Sequence, residues 1–504
     1  MSINNLSQAL TKWEKAIGKD NIITDKKTLK KIQSTTFLTS QNILAIIKPH
    51  TRKEVQDCVL IANRYKVAIY PVSTGKNWGY GSSVPVGNNN VVMKLDGLNK
   101  ISDYNEKLAY VTVGPGVTFA QLDKFLRRKK SNLTMSNIGG STGSSLIGNF
   151  VERGIGKGIY GNKYENSCDL EIVLPIGALI NTGFSNYLSK KLAPISRETI
   201  GPEITGIFTQ SNFGIVTKMT LWLFPKPKYS KVLTFHLEKN SDLIKVVDAL
   251  RVLKLEKTIQ GNFLIANEYR ILTSFQQYPW EEAKGKTPLP KTVLEKLKKK
   301  WGIKGVWIGQ IVLEASTKME LTGKEERIKK MLSKITKLLY FVDQKESFYK
   351  PSDFAIRSMY WRKKTPVPQK MDPDSDMCGS LWISPITPFI GNDLYQVVNI
   401  MSKEMISHGF EANIGINGLT DRKLHITGAI VYDRSQKGED EKAIACQDKI
   451  LKLLSKKGYF PYRLNIHSMK SLLKPSQDYV DFLKTLKKTL DPNNILAPGR
   501  YDYD

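Results

Sequence analysis

Three glycine-rich stretches in the first half of the chain restrict what it can fold into. The first is Pro71-Val72-Ser73-Thr74-Gly75-Lys76-Asn77-Trp78-Gly79-Tyr80-Gly81-Ser82-Ser83. It follows Val67-Ala68-Ile69-Tyr70, an apolar run that reads as a buried strand. Glycine lets backbone approach a ligand closely and adopt positive φ. Successive N–H groups in such a turn form a concave anion site, and Ser and Thr hydroxyls add donors. The second stretch, Gly139-Gly140-Ser141-Thr142-Gly143-Ser144-Ser145, leads into Gly148-Asn149 and Glu152-Arg153-Gly154. The third is Ser211-Asn212-Phe213-Gly214-Ile215-Val216-Thr217. One such loop is also what an ordinary surface turn looks like. Three, among apolar strand-like runs, point to an extended ligand held by backbone at several places.

The familiar phosphate motifs do not fit. A P-loop needs Gly-Lys followed by Ser or Thr, and here Asn77 follows Lys76. No GxGxxG opens a helix after a strand near the start of a βαβ unit. A nicotinamide or ATP site of the usual kind is therefore disfavoured.

At 504 residues the chain is expected to form two domains, each with a sizeable core. Hydrophobic content of 41% places it among globular proteins. No apolar run reaches the roughly 18 residues of a membrane span, and Met1 to Gly18 lacks a signal-peptide pattern. That segment reads instead as an amphipathic helix with Leu6, Leu10, Trp13 and Ile17 on one face. Cys58, Cys168, Cys378 and Cys446 are widely spaced with no CxxC pair, which argues against a disulfide framework or a zinc site and favours a cytoplasmic location. The histidines show no metal spacing. The net charge of +29 is spread along the chain. Its densest cluster, Lys296 to Lys300, reads as the solvated face of a helix, and no nucleic-acid module is present.

Strands are expected at Val67–Tyr70, Asn90–Leu95, Ala109–Val113, Glu171–Pro175 and Ile215–Phe224, with a helix over Thr51–Tyr65. Pro225-Lys226-Pro227-Lys228 then interrupts the pattern. Beyond it, strands are expected at Ser230–His236, Val306–Leu313 and Leu424–Tyr432. Helices are expected at Ser241–Val252, Lys324–Leu339, Asp393–His408 and Glu441–Lys456. This order suggests an α+β unit with an antiparallel sheet. Tyr278–Lys291 and Lys363–Asp376 read as irregular loops, and Gln477–Leu490 as a last helix.

The motifs taken together resemble a known family. Pro71 to Gly75 with Gly79-Tyr80-Gly81, then Val113-Gly114-Pro115-Gly116-Val117, then Gly148-Asn149-x-x-Glu152-Arg153-Gly154, then Gln210-Ser211-Asn212-x-Gly214-Ile215-Val216-Thr217-Lys218 are similar to the flavin-binding domain of the vanillyl-alcohol oxidase and p-cresol methylhydroxylase family. Asp491-Pro492-Asn493-x-Ile495-Leu496-Ala497-Pro498-Gly499-Arg500 resembles that family's closing motif. The resemblance implies an α+β fold: a two-part PCMH-type FAD-binding domain over 1–225 and 460–504, and a cap over 226–459 with an antiparallel sheet flanked by helices. It implies FAD as cofactor, cradled by Pro71, Val72, Ser73, Thr74, Gly75, Lys76, Asn77 and Gly79. Further along the cradle come Ile138, Gly139, Gly143, Ser144, Ser145, Gly148, Asn149, Arg153 and Gly154, with Gly214, Ile215, Val216 and Arg500. Arg500 could equally make a surface ion pair.

In phenol-oxidising members of the family, two tyrosines and an arginine hold the substrate as a phenolate. Tyr80, Tyr462 and Arg463 match them. An always-charged guanidinium with two phenolic donors stabilises a phenolate, and the ionised ring then favours loss of hydride from the benzylic carbon. His425 aligns with an active-site histidine, although on an apolar strand it could simply be a core residue. Two departures stand out. The histidine that tethers FAD in some relatives falls near Ser380, with Cys378 close by, so non-covalent FAD is expected. The carboxylate found before the flavin-facing glycines of the oxidases is missing from Asn137-Ile138-Gly139-Gly140-Ser141. The segment Tyr360-Trp361-Arg362-Lys363-Lys364 reads as either cavity lining or structure.

The expected activity is removal of hydride from a small molecule, with a para-substituted phenol the preferred class. An amine, an alcohol or a carrier-bound intermediate remains open as substrate, and so does a basic flavin- or nucleic-acid-binding protein without catalysis. The expected electron acceptor is a protein or oxygen, and the family's habits favour a homodimer.

Overall fold

The computed structural model describes residues 3–343, 354–470 and 475–503. Its first sheet has four strands in the order Ile22–Ile23, Ile43–Ile47, Asn90–Lys94, Ile69–Val72. The last three run parallel, and their nearly continuous apolar sequences suit strands buried on both faces. Helix Arg52–Tyr65 crosses between the second strand and the fourth. Thr51 caps it by accepting the Glu54 N–H, and it ends where Lys66 turns left-handed at φ 52. It buries Val55, Cys58, Val59 and Ala62 in a core shared with Ala9, Trp13 and Ile17 of helix Ile3–Ile17. The indole of Trp13 donates to the Cys58 carbonyl at 3.1 Å.

A second, antiparallel sheet follows, in the order Ile101–Asn105, Tyr110–Val113, Ile215–Trp222, Ser167–Val173, Leu179–Asn181. Helices Phe119–Arg128 and Leu146–Val151 pack into its core.

The third sheet is antiparallel throughout. Its order is Leu339–Asp343, Tyr229–Leu237, Trp307–Ala315, Phe263–Asn267, Asn413–Asn417, Lys423–Asp433, Cys378–Ile383, and Ile386–Pro388 also pairs with Lys423–Asp433. Alternation divides it cleanly. Phe263, Ile265, Ile416, Ile426 and Leu381 face a core shared with helices Asp242–Leu255, Lys318–Leu332, Gly391–Ser407 and Glu439–Ser455. The intervening side chains face the other way, and several of them form a cavity wall.

The last part of the chain returns to the first sheet. Ile69 donates to the Ile495 carbonyl (2.7 Å), and Ala497 donates to the Ile69 carbonyl (2.8 Å). Buried Asp491 holds this return by accepting the N–H groups of Ile495 and Leu496, each at 2.9 Å, and the Lys487 ammonium at 2.7 Å.

Several expectations need correction. The helix expected over 324–339 runs instead over Lys318–Leu332, started by the Thr317 cap, and the chain re-enters the sheet at Leu339–Asp343. Ile335 and Leu339 pack against the same core as the helix, so the apolar period continued past the helix end. The strand expected over 171–175 occupies Ser167–Val173, and that over 67–70 occupies Ile69–Val72. In the lysine cluster, Lys298 is buried rather than solvated, and pairs with Glu268 (2.8 Å) and Glu295 (2.9 Å). The four cysteines are buried and free. Among the described residues no helix is long and apolar enough to cross a membrane.

Candidate functional site

A cavity of about 380 Å³ lies where loops of the first two sheets meet the inner face of the third. The first wall is the turn after strand Ile69–Val72. Gly75 there has φ +71, and a Cβ on it would stand 2.3 Å from Ser83 Oγ, so a side chain is excluded. Thr74 Oγ1 accepts the Ser145 N–H at 3.1 Å, which ties the first glycine stretch to the second. Ser145 Oγ donates to the Pro115 carbonyl (2.6 Å) and accepts the Gly148 N–H (2.9 Å). Residues 71–77, Ile138, Gly139, Ser144, Ser145, Gly148, Asn149, Gly154, Gly214, Ile215, Val216 and Arg500 all line the cavity. Gly79, Gly143 and Arg153 do not. Gly79 packs against Trp382 and Gly143 against the Lys76 stem, while exposed Arg153 donates to Thr209 Oγ1 at 3.0 Å.

These residues fit the expected FAD. Loop backbone lines the cavity from both glycine stretches, Lys76 stands among it, and the buried Asn149 Oδ1 has no partner within the protein. A buried polar atom of that kind is one for a ligand to meet. Ser380 and Cys378 lie off the cavity. Ser380 is held through its backbone to Thr36, and burial pushes the Cys378 thiol well above its usual range.

The second group is a charged knot. Tyr80 sits between Gly79 and Gly81, whose positive φ values of 77° and 120° shape its turn. The Arg463 guanidinium lies 4.1 Å over the Tyr80 ring, and the Tyr80 hydroxyl meets Ser384 Oγ at 2.8 Å. Arg463 Nε donates to Glu152 Oε2 at 3.1 Å, and Arg500 pairs with the other oxygen of the same buried carboxylate. The Tyr462 carbonyl accepts from Gln210 at 2.8 Å, and its N–H donates to the Ser384 carbonyl at 3.0 Å. The structure thus brings together Tyr80, Tyr462 and Arg463. Burial, then the neighbouring Tyr80, holds the Tyr462 phenol well above its usual pKa, so it stays protonated. His425 does not line the cavity. It stands edge-on to the Tyr462 ring at 5.1 Å, with its buried Nδ1 unpartnered. Burial, with Lys423 nearby, pushes its pKa down to about 3, so the ring is neutral.

The third wall is the sheet face carrying Leu264, Asn417, Thr427 and Trp382. The Trp382 indole donates to the Trp78 carbonyl at 3.0 Å and fills the space a Cβ on Gly79 would take. Arg270, from helix Glu268–Phe275, lies 5.0 Å over the Trp382 ring and donates to Asn413 Oδ1 at 3.2 Å. Burial lowers its pKa to about 10. Lys157 also lines the cavity, and burial together with Arg270 lowers it to about 7. Under the first turn, Asp374 accepts from the Trp78 indole (3.1 Å) and Ser82 Oγ (2.9 Å), and burial raises it to about 7.

Glu152, Arg270, Lys157 and Trp382 were not singled out by sequence. Glu152 stands inside the second motif, and that position was its one signal. Trp361, Arg362 and Lys363 are structural: the first two bind buried Glu411 (2.9 and 3.0 Å) and Lys363 binds Asp433 (2.8 Å).

A family model described as an FAD binding domain matches residues 43–183. The chain is 38% identical to a 1'-carboxy-chondrochloren decarboxylase of Chondromyces crocatus, covering 100% of this chain and 98% of that protein. It is 28% identical to the flavoprotein subunit of 4-cresol dehydrogenase (hydroxylating) of Pseudomonas putida, covering 99% and 96%. A crystal structure of p-cresol methylhydroxylase with substrate bound superposes with a TM-score of 0.91 at 26% identity, covering 100% and 98%.

Proposed function

The chain belongs to the vanillyl-alcohol oxidase and p-cresol methylhydroxylase family of FAD-dependent oxidoreductases, and from that premise we propose that it oxidises a para-substituted phenol held as its phenolate by Tyr80, Tyr462 and Arg463. The observation that carries this reading is the sharing of Glu152. Two guanidiniums, Arg463 and Arg500, divide one buried carboxylate between them. One positive charge is left over beside two phenols, and a largely desolvated surplus charge favours an anionic ligand.

A phenol would bind there as its phenolate, its proton released to solvent on entry, with Arg463 balancing the charge and protonated Tyr462 donating to its oxygen. The ionised ring pushes electron density toward its para carbon. Bound FAD supplies the two-electron acceptor for hydride leaving the benzylic position. Neutral His425 positions Tyr462 by edge-on contact.

Arg463→Ala should leave the flavin absorbance of the purified protein unchanged. It should slow anaerobic flavin reduction by a 4-alkylphenol about a hundredfold or more. Unchanged reduction rejects the phenolate reading. The same experiment run over amines and alcohols separates those substrate classes, and oxygen uptake identifies the acceptor.

A second reading is oxidative decarboxylation, in which a substrate carboxylate leaves as CO2 while the carbon it leaves is oxidised by two electrons. The decarboxylase relative supports it. So does the absence, among the described lining residues, of any carboxylate besides Glu152 that could serve as a base.

A further inference from the structure

We propose that the substrate carries a long apolar chain para to its hydroxyl, and that this chain runs past Leu264 into a second cavity on the same face of the third sheet. The proposal rests on the reading above in placing the phenol at Tyr80, Tyr462 and Arg463.

Pairing across the third sheet sets one row of side chains. His425 pairs with Asn417, Asn417 with Leu264, Leu264 with Gln310, Gln310 with Thr234, and Thr234 with Tyr340. Directly paired residues share a face, here the one turned away from the core helices. The row begins beside the phenol site, where His425 stands edge-on to Tyr462. Asn417 and Leu264 line the flavin cavity. Leu264, Gln310, Thr234 and Tyr340 line a second cavity of about 50 Å³, so Leu264 is a wall of both. The neighbouring row repeats the arrangement. Thr427 lines the first cavity, Ala266, Ile308 and His236 line the second, and Gly415 between them adds no side chain. Helix Glu268–Phe275 reaches both, with Arg270 on the first cavity and Ile271 and Phe275 on the second.

The lining sets the chemistry of the occupant. An antiparallel sheet normally turns polar residues away from its core. Leu264, Ala266 and Ile308 are apolar there, and the stacked pair Phe275 and Trp301, 5.0 Å apart, closes around the same space. Among the described lining residues of the second cavity there is no Asp, Glu, Lys or Arg. Apolar groups around an unfilled space lose contacts that an apolar chain restores.

Strand spacing sets the length. Neighbouring strands stand about 4.8 Å apart, so Leu264 lies about 10 Å and Thr234 about 19 Å along the row from His425. A phenol ring with a propyl group reaches about as far as Leu264, whereas a linear nonyl chain passes it.

The test uses 4-propylphenol and linear 4-nonylphenol. Binding is measured by calorimetry on holoenzyme whose flavin has been reduced with dithionite, so that no turnover occurs. The wild-type protein should bind 4-nonylphenol at least tenfold more tightly than 4-propylphenol, and the two should compete. Ala266→Leu fills the second cavity. It should weaken 4-nonylphenol at least tenfold and 4-propylphenol less than threefold, with FAD content unchanged. Ile308→Trp should act in the same direction, and it carries the test if Ala266→Leu does not fold.

Equal affinity for the two phenols, equal loss of both, a nonyl advantage that survives both substitutions, or binding of the two phenols at once overturns the proposal. Reduction of oxidised holoenzyme by 4-propylphenol with no nonyl advantage removes the chain site but leaves the phenol reading standing. Tight nonylphenol binding that Ala266→Leu abolishes, with no flavin reduction by either phenol, does the reverse.

Discussion

Asp374 shows how much one side chain beneath the cofactor turn can impose on the protein. Its carboxyl, raised to about 7 by burial, keeps a proton in the folded state that the unfolded chain releases near pH 4. The folded state therefore binds more protons across that window. Stability falls as pH rises from about 4 to about 7 and levels off above it. Asp374→Asn keeps an acceptor for Trp78 and Ser82 without the charge. It should be more stable than wild type by about 1–2 kcal/mol at pH 8, with the difference shrinking toward pH 5, in urea denaturation at the two pH values. A difference that does not change with pH would show that Asp374 is ionised in the fold. At this scale the sequence was uneven to read. Tyr80, Tyr462 and Arg463 could be singled out because they match the two tyrosines and the arginine of the family that the motifs resemble. Arg270 and Lys157 were not, because a chain with 76 lysines and arginines hides two that happen to line a cavity. Only the fold distinguishes a cation facing a cavity from one facing water.

Among the elements, the turn over residues 73–77 is the most constrained. Gly75→Ala places a methyl group against Ser83 in a backbone conformation that alanine resists. The dissociation constant for FAD should rise at least tenfold, about 1.4 kcal/mol, in a fluorescence titration of the stripped protein. Unaltered affinity would mean that the turn adjusts without touching the cofactor. Long helices such as Arg52–Tyr65 and Gly391–Ser407 could be read from their apolar period. The strands Phe263–Asn267 and Asn413–Asn417 could not. Each has five residues, and polar residues such as Asn417 stand where the strand faces the cavity rather than water. Their alternation becomes meaningful only once their neighbours in the sheet are known. The helix expected to run on past Leu332 was misplaced for the opposite reason, since one core takes apolar residues from a helix and from the strand that follows it.

Taken whole, the molecule closes a flavin site between three sheets, and the residues at the expected tether position do not reach it. Ser380 and Cys378 are buried off the cavity. Acid precipitation of the purified protein should therefore release its yellow colour into the supernatant, and colour that stays in the pellet would reveal a tether elsewhere. The last strand-like return, pinned by Asp491, bears on how the protein is made. The glycine turns leave the ribosome early, whereas Tyr462, Arg463, Leu496 and Arg500 leave it late. Synthesis proceeds from the N-terminus, so a nascent chain that has reached residue 460 still lacks the arginines that share Glu152. In this sense a prematurely stopped chain would carry the glycine turns without the Leu496, Ala497 and Arg500 that complete the lining of the cavity.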